Sequence, residues 1–123
     1  MPFSVRYVEE AGVVEMVLRG PVTPEDVDAA MTEAGTVGAE NLSNRFLIDS
    51  RGMPAGGTAF DVLALAELLA SLPPGVIERE AVLLSDDAAA ADQMEFFETA
   101  CRNRGLDVRV FRDRDEALGW LTA

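Results

Sequence analysis

The chain has 123 residues, 49% of them hydrophobic and 26% charged, which suits one globular domain and is wrong for a disordered tail. Twenty-two acidic residues against ten basic ones give a formal charge of −12, which repels nucleic acid and anionic lipid. All ten basic residues are arginine, and without lysine or histidine there is no Ser-His or Cys-His nucleophile, imidazole ligand, Schiff base or Walker-type phosphate loop.

The chain opens on two strand-like runs. Phe3 to Val8 alternates Phe3, Val5 and Tyr7 against Ser4 and Arg6, and Val13 to Leu18 is richer in branched residues. The short link Glu9-Glu10-Ala11-Gly12 makes them an antiparallel hairpin. After Gly20 and Pro21, Thr23 followed by Pro24, Glu25 and Asp26 has the form of a helix start. Val27, Ala30, Met31 and Ala34 then fall on one helical face, and Gly35 and Gly38 are expected to loosen the far end.

From there strands and helices alternate. Arg45 to Ile48 is a short buried strand ending at Asp49, followed by a glycine-rich loop, Ser50 to Gly57. Phe60 to Leu72 is a helix stopped by Pro73 and Pro74, and Ala81 to Leu84 is the next strand. Asp86 or Asp87 caps a helix that runs to about Arg104, with Gly105 just past its end. Val108 to Phe111 is the last strand, and Asp113 with Glu116 caps a final helix through Trp120 and Leu121. Such alternation forces parallel pairing through right-handed crossovers. The expected fold is therefore a single α/β domain over 1–123, ordered ββαβαβαβα, with a mixed five-stranded sheet covered by four helices.

No run approaches the ~18 apolar residues of a membrane span. The opening Met-Pro-Phe-Ser-Val-Arg lacks the pattern of a secretory signal, and the lone Cys101 forms no internal disulfide. The cytoplasm is the expected compartment, and the acidity reads as solubility with coding bias, salt adaptation or a basic protein partner.

Ligands of open α/β sheets sit beyond the carboxyl ends of the parallel strands. Those ends carry Asp49, Ser50, Ser85, Asp86, Asp87, Arg112 and Asp113. Asp49 and Asp86 on neighbouring strands would make a magnesium site, whereas the plainer reading is that Asp86, Asp87 and Asp113 cap helices. No metal or other cofactor is expected, and no catalytic residue is assigned. The loop residues Gly56 and Gly57 lead to Thr58, either a plain helix N-cap or an exposed hydroxyl whose phosphate would meet the positive end of the helix dipole. In the helix after it only Asp61, Glu67 and Ser71 are polar, a stripe too narrow for a helix lying on one sheet face. Leu63, Leu65, Leu69 or Leu72 is thus expected to touch something beyond its own sheet: neighbouring helices, a second copy, a partner or an apolar ligand. Cys101 shares a stripe with Ala90, Met94 and Phe97 and reads as a small buried hydrophobe, while Trp120 is expected to close the core over the last strand.

The element order, together with "RFLIDSRGM" at Arg45 to Met53, "REAVLLSDD" at Arg79 to Asp87 and "NRGLDVRVFRDRDEALGWL" at Asn103 to Leu121, resembles the STAS-like fold and most of all the stand-alone SpoIIAA-like proteins. In the regulatory antagonists of that family, a serine in an Asp-Ser-Ser-Gly sequence begins the helix after the third strand, and its phosphorylation switches partner binding. The matching place here reads Gly56-Gly57-Thr58-Ala59, so Thr58 stands in for the serine, without the aspartate or the paired serines; Ser50 is a further candidate. The resemblance implies a non-enzymatic bacterial regulatory module. Its partner, or a second copy in a homodimer, would meet the loop 50–58 and the helix 59–72, at Asp49, Gly56, Gly57, Thr58, Leu63, Leu65, Leu69 and Leu72. The alternative is a carrier or sensor of a small apolar ligand under the same helix.

Overall fold

A computed structural model describes residues 2–54 and 59–123, with the side chains of 59–61 left aside. The element order is the expected one: β1 (Phe3–Val8), β2 (Val13–Arg19), α1 (Pro24–Asn41), β3 (Arg45–Gly52), α2 (Ala59–Ala70), β4 (Arg79–Leu83), α3 (Ala88–Arg102), β5 (Val108–Phe111) and α4 (Arg114–Leu121). The strands lie in chain order across one five-stranded sheet, β1 antiparallel to β2 and every later pair parallel.

That order decides where the helices go. Right-handed crossovers that always step the same way along a sheet leave their helices on one face. Accordingly α1 packs on Val14, Met16, Leu18 and Phe46, and α3 packs on Val82 and Val108. Only α4, which follows the last strand, turns to the opposite face, where Ala117 and Leu121 cover Val13, Leu47, Ala81 and Leu83. Two arginines from that face meet the C-terminal carbonyls of α4: Arg79 donates to Trp120 O at 2.6 Å and Arg45 donates to Leu121 O. Positive charge belongs at that end of a helix. Trp120 does close the core there, 5.7 Å from the Phe111 ring and flanked by Arg79 and Arg109 at 5.4 and 5.2 Å.

Several boundaries differ from the sequence reading: α2 ends at Ala70 rather than Leu72, β4 spans Arg79–Leu83 rather than Ala81–Leu84, and α3 ends at Arg102 rather than about Arg104. The glycines of α1 do not loosen it. The helix opens on a full capping box, with Thr23 Oγ1 accepting from Asp26 N at 3.1 Å and Asp26 accepting from Thr23 N at 3.0 Å. It then runs through Gly35 and Gly38 to Asn41 and ends on Leu42 in the left-handed region, at φ 53°. Gly38 is there because it must be small: a Cβ would lie 2.9 Å from Ser43 O and 3.2 Å from the Phe46 ring. In the same way β3 does not stop at Asp49. Neighbours on both sides hold its polar end, through Gly20 N to Gly52 O at 3.0 Å and Asp86 N to Arg51 O at 3.2 Å. Ser50 is therefore inside a strand and fully buried, not at the start of a loop. The last helix cap also differs in detail, since Asp113 accepts from Asp115 N.

Candidate functional site

The carboxyl ends of the strands are the expected place for a ligand, and their polar groups are taken up by the protein itself. Ser50 Oγ donates to Leu83 O at 2.6 Å, tying β3 to β4. Ser85 Oγ donates to Met53 O and accepts from Asp87 N at 3.1 Å, and Asp87 caps α3 by accepting from Ala90 N at 3.0 Å. Asp49 takes a two-point contact from Arg51, at 3.0 and 2.9 Å. Burial alone would raise that carboxyl, but the hydrogen bonds and charge of Arg51, with Arg114 further off, outweigh it and hold Asp49 below the ordinary carboxylate range. Among the described residues no three acidic or thiol side chains stand together as a metal site.

Gly56, Gly57 and Thr58 lie outside the described residues, and so does any statement about phosphate on Thr58. Ser50 has its hydroxyl bonded in the interior, out of reach of a modifying enzyme while β3 and β4 are paired. The leucines of α2 and of the turn after it divide. Leu69 is buried, Leu63 and Leu65 are half-buried against the core that α2 shares with α3, and Leu72 is 37% exposed. Leu68, not singled out from the sequence, is the most exposed of them at 47%. No described helix is long and apolar enough to cross a membrane.

What the sequence did not disclose is how α2 is seated. Among the described residues its closest backbone neighbour is α3, while its buried Ala66 and Leu69 share a core cluster with Val82 and Val108 of the sheet. The side chains of α2 and of the strands nonetheless leave a space between helix and sheet. That space is an inner cavity of about 110 Å³, floored by Met16, Ile48 and Val82 and roofed by Val62, Leu65 and Leu69. It adjoins an outer cleft of about 320 Å³ that reaches Pro24 and Asp28 at the start of α1. Val27, Met53, Val62, Leu65, Gln93 and Met94 line both.

Two features of the cavity stand out from an ordinary core. Met16, Met31, Met53 and Met94 all line it, four of the chain's five methionines. Methionine is the flexible, polarizable hydrophobe that adapts to irregular gaps and to varied ligands. The other feature is Glu80, a residue of β4 that is only 6% exposed. Its row across the sheet runs Val14, Phe46, Glu80, Val108, so it occupies a position that its neighbours fill with hydrophobes. Desolvation pushes its carboxyl up to about 7. Cys101 of α3 is close enough to feel that charge; burial first, and then Glu80, pushes the thiol up to about 12. The cysteine is buried with Phe97 and Ala90, as its stripe in the sequence implies.

A charged residue at the head of an apolar run reads as the solvated start of a strand, which is why Glu80 escapes sequence reasoning. The available signal is its two-residue spacing from Val82, which puts both on one face. The chain matches no family model, no curated protein and no solved structure.

Proposed function

We propose that the chain is a binding protein for a small apolar ligand, held beneath α2 between α1 and α3, and that it acts as a regulatory module rather than a catalyst. The observation that carries this reading is the methionine-lined cavity between α2 and the sheet. Cores pack densely and hold few voids larger than a water molecule. An apolar cavity on the scale of 110 Å³ is of the order that takes up a benzene-sized molecule. The resemblance to STAS-like proteins supports regulatory use, because in that family the helix after the third strand carries the switch. A ligand that fills the space under α2 alters how α2 sits, and the outward Leu68 and Leu72 present the change to a protein partner.

The test uses toluene as the probe. Saturating toluene is expected to raise Tm by about 4 °C, the shift that roughly 1 kcal/mol of binding gives a domain of 123 residues. Ile48→Phe, which fills the floor, should abolish the rise while keeping the fold. An unmoved Tm, with no small molecule retained in the native mass spectrum of the purified protein, would sink the reading.

A further inference from the structure

We propose that the ligand this cavity is built for is a small apolar amine, its ammonium group held by the Glu80 carboxyl and its hydrocarbon lying among the methionines. The inference rests on the reading of the cavity as a ligand site and adds the chemical class of what fills it.

The chain has two deeply buried glutamates, and they are treated oppositely. Glu15, 4% exposed, accepts from Arg6 at 2.8 Å and from Arg114 at 3.1 Å. Glu80, 6% exposed, has no hydrogen bond or ion pair to its carboxyl among the described residues. Yet among them no fully enclosed side-chain oxygen or nitrogen lacks a partner. The Glu80 oxygens therefore keep a trace of access, and Glu80 is one of the two polar residues, with Gln93, that line the cavity. An unpaired carboxylate in an apolar setting is costly, and a cation with hydrogen-bond donors removes most of that cost.

The surroundings favour a cation from every side. Among the described residues no arginine lines either cavity; the charged residues that do are Glu80 inside and Asp28 at the outer mouth. Among the described residues of α1, α2 and the flanking strands, only apolar side chains join Glu80 in lining the cavity. From α3 come Gln93 and the titratable Cys101, which the charge of Arg104 also reaches. Cys101 stays a neutral thiol until about 12, so it neither supplies a cation nor competes for one. A net charge of −12 draws cationic ligands toward the protein at long range. Below about 7 the carboxyl of the empty site holds a proton, which an incoming ammonium displaces. Amine binding must then tighten as pH rises through that value.

Isothermal titration calorimetry of the wild-type protein with n-hexylamine and with 1-hexanol, at about pH 6 and about pH 8, tests this without a variant. Hexylamine is expected to bind at least about tenfold tighter than hexanol at the higher pH, and that advantage should shrink about tenfold at the lower. Glu80→Gln should erase the advantage and its pH dependence, so that hexylamine binds no tighter than hexanol at either pH. Equal binding of the two probes at both pH values overturns the amine assignment while the cavity reading stands. So does hexanol tightening at the lower pH, which marks a neutral ligand on a protonated Glu80. If neither probe binds, the cavity reading falls, and the amine assignment with it.

Discussion

Glu80→Gln is expected to stabilise the protein at alkaline pH and to destabilise it slightly, by about 1 kcal/mol, in acid. Burial raises the carboxyl from 4.5 to about 7, so between those values the folded state binds more protons than the unfolded chain. Stability must therefore fall as pH rises across that window. Below about 4.5 both states are protonated and nothing is lost; above about 7 the whole penalty is in place. At about 1.4 kcal/mol for each tenfold step in proton affinity, the penalty is on the order of 3 kcal/mol. Glutamine keeps the size and shape and removes the titration, but its own buried amide costs about 1 kcal/mol, leaving a net gain of roughly 2 kcal/mol at about pH 8. Urea unfolding of both proteins at intervals from about pH 5 to about pH 8 reads this directly as a change of midpoint at constant slope. The two midpoints should cross and then separate progressively through the neutral range. A gap that stays constant with pH would refute the reasoning, because it would mean that the Glu80 carboxyl is not held up by desolvation at all.

Other consequences are nearer the scaffold. Gly35 and Gly38 should respond oppositely to alanine: Gly35→Ala, with nothing within 4 Å of the new Cβ, gains about 0.5–1 kcal/mol in thermal unfolding. Gly38→Ala, whose Cβ would meet Ser43 O at 2.9 Å, loses about 1–2 kcal/mol instead. Cys101, fully buried and with its thiol pushed up to about 12, should resist iodoacetamide in the native protein and react within minutes once unfolded, as mass spectrometry would show. Ser50→Ala should cost about 1 kcal/mol in urea unfolding through loss of the 2.6 Å bond to Leu83 O. Arg114→Ala should cost more than Arg6→Ala in the same measurement, since both bind Glu15 but the Arg6 side chain is 66% exposed against 32% for Arg114.

The elements most legible in the sequence are those whose ends are local. The strands at Phe3–Val8 and Val108–Phe111 are bounded by turns whose glycines, Gly12 at φ 69° and Gly105 at φ 85°, take a conformation other residues rarely adopt. The caps Thr23, Asp87 and Asp113 are equally local, since each depends on an N–H two or three residues ahead. What escaped depends on distant partners. Nothing within Ser50-Arg51-Gly52 marks it as strand; it is extended because β2 and the end of β4 hold it from either side. The smallness of Gly38 is likewise dictated by Phe46, eight residues on in another element. The unusually apolar face of α2 was visible, along with its implication that something besides the sheet touches it. Which neighbour answers that demand was not visible. Leu63, Leu65 and Leu69 face α3 and the cavity, and only Leu72 of the four leucines singled out from the sequence lies on the outside.

The space under α2 and the solitude of Glu80 are two sides of one arrangement. A carboxylate on the inner face of a parallel strand needs either a counter-charge or room for one, and elsewhere in this chain the counter-charge is present. Glu15 has two arginines and Asp49 has Arg51. Beneath α2 the chain supplies room instead, and surrounds it with side chains that can change shape. A leucine at position 80 would pair more naturally with Phe46 and Val108 and would let α2 settle closer. Local rules of burial and polar satisfaction are obeyed around this point and broken at it, which is the pattern expected where function has displaced stability. Glu80→Leu should accordingly give a more stable protein with a smaller cavity, gaining roughly 2–3 kcal/mol at about pH 8 and losing all response to hexylamine. A Glu80→Leu protein that is less stable than the wild type at that pH would show that the acid belongs to the scaffold and not to a site.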